Sequence, residues 1–97
     1  MHVIMTRVQL KPDSIDDVRR LFEETNPALV SEQPNWIKAA FTANRETNQV
    51  TVLAFWRNAD SYQIFSKSQQ FQQTMSQFGQ FFAGPPDVTI NEVLFEM

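Results

Sequence analysis

A chain of 97 residues with 42% hydrophobic and 20% charged side chains has the composition of one folded domain with one core, which excludes a disordered or low-complexity chain. Eight Lys and Arg against eleven Asp and Glu give a net charge of −3, and the basic residues are scattered from Arg7 to Lys67, so no basic field exists to hold a nucleic acid. The absence of cysteine removes disulfides, thiolate nucleophiles and zinc–thiolate sites, and no apolar run approaches the ~20 residues that span a bilayer.

The opening "MHVIMTRVQL" carries polar and charged residues where a signal peptide would have its apolar region. A cytoplasmic protein is therefore expected, residues 1–97 forming a single domain with neither a nucleic-acid nor a membrane partner. From His2 to Leu10 the sequence is β-rich, and "KPDS" then stops it, with Asp13 offering a helix N-cap. Ile15, Val18, Leu21, Phe22 and Leu29 recur at helical spacing, and Asp16 and Asp17 stand in the first turn, where the helix dipole favours negative charge. Pro27 removes a backbone donor and restricts Asn26, so a kink or restart is predicted there. "SEQPN" then turns the chain.

"WIKAAFTA" and "VTVLAFW" flank the polar "NRETNQ" as two strands of a hairpin. Asn58 is placed to cap a second helix whose first part is "ADSYQIF"; a break is expected at "SKSQ", and Phe71, Met75, Phe78 and Phe82 then form one apolar stripe. "AGPPD" ends this helix, and "VTINEVLFEM" supplies a last strand, in which a bulge at Glu92 would return Val93, Phe95 and Met97 to the apolar face. The order βαββαβ predicts an α+β, ferredoxin-like domain, an antiparallel sheet with two helices on one face.

On the third strand Val50, Val52, Ala54 and Trp56 share one parity, and Leu53 and Phe55 share the other. A solvated face alternates to polar residues, so apolar side chains on both faces imply a cover for the helix-free side. A second copy of the chain is the cheapest cover, which predicts a symmetric homodimer with two sheets packed face to face.

With this order in hand, the "QPNW" turn and the segment "FWRNADSYQIFSKSQQF" resemble the antibiotic biosynthesis monooxygenase-like domains over essentially the whole chain. The resemblance implies a dimeric α+β barrel. The haem-degrading branch of that superfamily uses an Asn, a Trp and a His at positions that fall near Thr6, Phe65 and Met75, all of which differ here. The branch of cofactor-independent polyketide oxygenases carries a strand-ending Trp with a Tyr six residues later, and Trp56 and Tyr62 match that pair. An Asn, an Arg and a second Tyr of that branch fall near Val52, Ser76 and Phe41, which depart from it.

The function implied is a cofactor-independent monooxygenase acting on an apolar aromatic, quinol-type small molecule, without metal or flavin. Such chemistry needs a substrate that itself gives electrons to dioxygen, and a protein that binds, orients and desolvates it. Trp56 and Tyr62 are the candidate catalytic pair. Phe22, Phe41, Phe65, Phe71, Met75 and Phe78 are the candidate cavity wall, and Tyr62 or Arg7 supplies the polar contact. Each aromatic also has a plain packing role open to it, because a helix on a sheet must be apolar on one face. The competing function is accordingly a non-catalytic dimeric module of the same fold that binds a small molecule or a partner.

Overall fold

The computed structural model describes residues 1–97. Its elements are β1 (His2–Gln9), α1 (Ile15–Val30), β2 (Trp36–Asn44), β3 (Gln49–Trp56), α2 (Ala59–Ser66), α3 (Gln69–Ser76) and β4 (Asp87–Glu92), with a 3-10 turn at Gly79–Phe81 before β4. The four strands form one antiparallel sheet in the order β2-β3-β1-β4. This is the α+β, ferredoxin-like plan, with its second helix divided into α2 and α3.

Local chemistry accounts for most boundaries. The Asn58 side chain accepts from the Ser61 N–H at 2.8 Å and starts α2, and the Ser68 hydroxyl accepts from the Phe71 N–H at 3.1 Å and starts α3 after the break at Lys67. Each cap satisfies a donor that the first turn leaves free. In the β2–β3 hairpin Asn44 Oδ1 accepts from the N–H groups of Glu46 and Thr47, and Asn48 takes a left-handed φ of 60°, a conformation Asn tolerates better than most residues. The Asn48 amide donates to the carbonyls of Leu10 and Lys11 at 2.9 and 2.7 Å, which ties the hairpin to the end of β1.

Four features differ from the sequence reading. Helix α1 runs through Pro27 without a break, and the Ser31 N–H bonds the Pro27 carbonyl at 3.1 Å. Pro27 deprives only the Glu23 carbonyl of a donor; both residues are exposed, so water can satisfy it, while burial of Leu29 rewards continuing the helix. The cap position of α1 falls on Ser14 and not Asp13, which adopts a φ of 61°. Strand β4 ends at Glu92 with no bulge, because β1 begins at His2, the partner of Glu92, and beyond that pair only one further bond forms, from the Val93 N–H to the Met1 carbonyl at 3.0 Å. Helix α3 ends at Ser76, short of the expected stop at "AGPPD", and a 3-10 turn at Gly79–Phe81 follows it.

The register fixes which face is which. Ile4, Thr6 and Val8 of β1 share a face with Val50, Val52, Ala54 and Trp56 of β3, and this face meets the helices. Two groups of buried side chains form there. One joins Val8, Leu10, Ile15, Val18, Val50 and Phe78; the other joins Ile4, Leu29, Trp56 and Phe65. Val3, Met5, Leu53 and Phe55 have the opposite parity, are only half-buried, and belong to neither group. No helix is long and apolar enough to cross a membrane.

Candidate functional site

The two buried groups do not close on each other. Between them, under α1, α2 and α3 and above the inner face of the sheet, lies a cavity of about 330 Å³, of whose 21 lining residues 18 are hydrophobic. Its size is at the low end of small-molecule pockets, which run to about 300–1,000 Å³. The floor comes from the strands: Ile4, Thr6 and Val8, then Ala39 and Phe41 of β2, then Val50, Val52, Ala54 and Trp56. Ala54 is paired with Ile4 on one side and Ala39 on the other. Small side chains in that row leave volume that larger ones would fill. The walls come from Val18, Phe22 and Val30 of α1, Tyr62 and Phe65 of α2, Phe71 and Met75 of α3, and Phe78 and Phe82 beyond it.

Aromatic rings organise the walls. Phe22 and Phe41 face each other across the α1–β2 seam with centroids 5.0 Å apart. A second chain of contacts runs from Tyr62 to Trp56 at 5.9 Å, edge to face, from Trp56 to Phe65 at 5.2 Å, and from Phe65 to Phe71 at 5.1 Å. Edge-to-face and tilted pairs at these separations are the geometries that ring quadrupoles favour. Trp56 is only 1% exposed, so it is at once a core residue and a wall of the cavity.

No Lys, Arg, His, Asp or Glu lines the cavity. Its single titratable group is Tyr62, whose hydroxyl burial pushes above the ordinary value of 10.0, because an apolar surrounding disfavours the phenolate. At neutral pH Tyr62 is therefore a neutral donor and not a base. Thr6 and Asn26 are the other polar lining residues. No three His, Asp or Glu side chains converge anywhere in a way that would hold a metal ion.

Trp56, Tyr62, Phe22, Phe41, Phe65, Phe71, Met75 and Phe78, the residues selected from sequence, all stand around this one cavity. Arg7 does not. It pairs with Thr51 and Asp87 on the opposite face of the sheet and is exposed, because its parity is that of Val3 and Met5; it therefore does not supply the cavity's polar contact, contrary to the expectation from sequence. Three lining residues with polar atoms escape the sequence reading, Thr6, Asn26 and Trp36. Asn26 stands out in sequence only as the residue before a helix break that does not occur. Trp36 belongs to the "QPNW" turn, but its place at the cavity depends on pairing across to Trp56, with a register shift between Trp36 and Lys38, and no local pattern announces that.

The model of the antibiotic biosynthesis monooxygenase family matches residues 1–77. The chain belongs to this family. Among solved structures it is similar to a point mutant of SnoaB, a cofactor-independent oxygenase from Streptomyces nogalater, at 12% identity and a TM-score of 0.83, with 99% of this chain and 95% of that one covered. A Bordetella bronchiseptica protein assigned to the same family gives 19% identity and a TM-score of 0.84, with 97% of each chain covered. Rv0793 from Mycobacterium tuberculosis gives 15% identity and a TM-score of 0.80, covering 98% of this chain and 96% of its own. At such identities the likeness is one of fold. The sequence matches no curated protein.

Proposed function

We propose that this family member is a cytoplasmic, single-domain oxygenase that works as a homodimer and oxidises a neutral, apolar aromatic molecule with dioxygen, using neither metal nor flavin. The observation that carries the reading is the cavity of about 330 Å³, walled by aromatic rings and holding one titratable group, itself kept neutral. Such a site favours flat uncharged rings and excludes ions, since an unpaired charge in an apolar setting costs far more than its contacts return. SnoaB, described as a cofactor-independent oxygenase, lends the fold-level precedent. The apolar outer face around Leu53 and Phe55 supports the dimer, because a second sheet laid against it would remove that surface from water.

The chemistry suited to this site is oxidation of a ring methylene beside a carbonyl or phenol, as in an anthrone. Loss of one methylene proton to a water molecule gives the enolate, which passes an electron to dioxygen. The radical pair joins through a new C–O bond, and the protonated hydroperoxide loses water to leave a ketone. The balance is R₂CH₂ + O₂ → R₂C=O + H₂O, the methylene carbon being oxidised and dioxygen reduced. Trp56 and its aromatic neighbours hold the ring, and the Tyr62 hydroxyl donates to the ring oxygen as charge develops there. The cavity contains no base, so the substrate's own acidity governs the rate, and the pH profile of kcat/KM should follow the pKa of the substrate across a series of anthrones.

Incubation with anthrone in air and under nitrogen tests the reading. Oxygen uptake equal to quinone formed, lost in the Trp56→Phe, Tyr62→Phe double variant, supports it; equal product in both atmospheres, or full activity in the double variant, overturns it. The same absence of charged groups favours a second reading, a module that binds without catalysis. It would show saturable anthrone binding with oxygen uptake no faster than in buffer.

A further inference from the structure

The two ends of the cavity differ in chemistry. At one end the lining residues Val8, Val18, Phe22, Phe41 and Phe78 belong to or pack on the first buried group, and the only polar side chain among them is that of Thr6 from the strand between. At the other end Trp36 and Tyr62 pack on the second buried group, which holds Trp56, and Asn26 stands one turn before Val30 in α1. Trp36 Nε1 is buried there with no hydrogen-bond partner. A buried N–H without an acceptor is rare in folded proteins and unfavourable. The protein supplies no acceptor to it, and the indole that carries it lines the cavity, so a small shift of that ring on binding would bring the N–H against an acceptor on the ligand. The other unpartnered buried nitrogen, His2 Nδ1, belongs to a residue that does not line the cavity.

Trp36 is also held in position. The Arg57 N–H bonds the Asn35 carbonyl at 2.8 Å, the Trp36 N–H bonds the Gln33 carbonyl at 3.3 Å, and the Asn35 amide donates to the Ser61 hydroxyl at 2.7 Å, fastening this turn to the start of α2. The register shift beside it, between Trp36 and Lys38, is the kind of irregularity that re-aims a side chain beside a site. We propose that Trp36 is the specificity-determining residue of the cavity: its indole N–H donates to a carbonyl or phenol oxygen of the bound ring, which fixes that oxygen at the Trp56 end and sends the hydrocarbon end toward Phe22 and Phe41. The inference rests on the reading of the cavity as an aromatic-ligand site and adds the polarity and orientation of the ligand.

Two probes with the same three-ring frame test it, anthrone, which has the oxygen, and 9,10-dihydroanthracene, which has none, both titrated without dioxygen. Wild type should bind anthrone ~10-fold more tightly, the weight of one net hydrogen bond to a buried donor. Trp36→Phe should erase most of that preference by weakening anthrone and leave dihydroanthracene within about twofold, because Phe keeps the apolar wall. In a ¹⁵N spectrum of wild type, the Trp36 indole proton should move downfield with anthrone and not with dihydroanthracene, a readout that needs no variant to fold. Equal weakening of both probes in Trp36→Phe, an unmoved indole proton, or a preference lost in Tyr62→Phe and kept in Trp36→Phe overturns the assignment. If wild type binds both probes alike, only the role of Trp36 falls. If it binds neither, the aromatic-ligand reading falls with it.

Discussion

Ala54→Leu separates an open cavity from a collapsed one by the sign of its effect. Ala54 lies on the cavity floor, half-buried, between Ile4 and Ala39 in the sheet. Leucine adds three carbons, each worth about 0.8 kcal/mol when fully taken out of water. Filling a space of about 330 Å³ that stays half-open to solvent should recover roughly half of the full amount, so the variant is expected to gain about 1–2 kcal/mol. For a domain of this size each kcal/mol raises Tm by roughly 4–8 °C. Guanidinium unfolding followed by circular dichroism, at one protein concentration for both proteins because a dimer's stability depends on it, should show a higher midpoint with an unchanged slope. Anthrone binding should fall at the same time, since the added side chain occupies the ring's place. A loss of about 1–3 kcal/mol, the usual result of overpacking a full core, would show that these walls meet in solution and would refute the cavity.

Tyr62→Phe should remove part of the alkaline instability of the protein. The hydroxyl's pKa is raised in the folded state by burial, so its stabilising contribution is whole below the unfolded value of about 10 and is lost as pH rises through the folded value; urea melts between about pH 9 and 11 should fall less steeply for the variant. Leu53→Glu together with Phe55→Glu places charge on the outer sheet face and should turn a dimer into a monomer by light scattering at micromolar concentration; a wild-type protein already monomeric under those conditions would end the case for that face as an interface. Asn58→Ala removes the side-chain acceptor of the Ser61 N–H and should cost about 1 kcal/mol in chemical denaturation, while Asp60→Ala, at an exposed position beside it, should stay within about 0.5 kcal/mol.

What can be read from the sequence is what local chemistry decides. The order of elements, the cap at Asn58 and the break before Ser68 follow from side chains acting on backbone within a few residues. The aromatic set is legible because Phe71, Met75 and Phe78 repeat at helical spacing, and Trp56 and Tyr62 bracket a strand end and a helix start. The misreadings share a cause, a partner distant in sequence. Pro27 taken by its missing donor alone predicts a break, but burial of Leu29 two residues on keeps α1 helical. The apolar residues of the C-terminal segment predict a longer β4, but His2 of β1 sets its length. Leu94 and Phe95, left beyond the last pair, are 86% and 80% exposed. The parity of Arg7 is legible in the sequence; which parity meets the helices is a question of packing that strand alternation alone does not answer.

The cavity itself is explained by a pairing that neither strand reveals alone. Ala39 and Ala54 are ordinary strand residues in their own segments. Only the β2–β3 register sets them side by side, and only then do two methyl groups stand in a row where the neighbouring rows carry Phe41 with Val52 and Trp36 with Trp56. Helices that rest on the large residues at either end cannot descend onto the small ones between, because side chains in staggered rotamers and a helix of fixed radius do not bend into a gap two residues wide. The empty space is thus the consequence of rigid large rows flanking a small one. Anything that enlarges the alanine row fills it, and cutting a flanking aromatic back to alanine lets the helices settle and close it. The two kinds of substitution should both abolish ligand binding while moving stability in opposite directions.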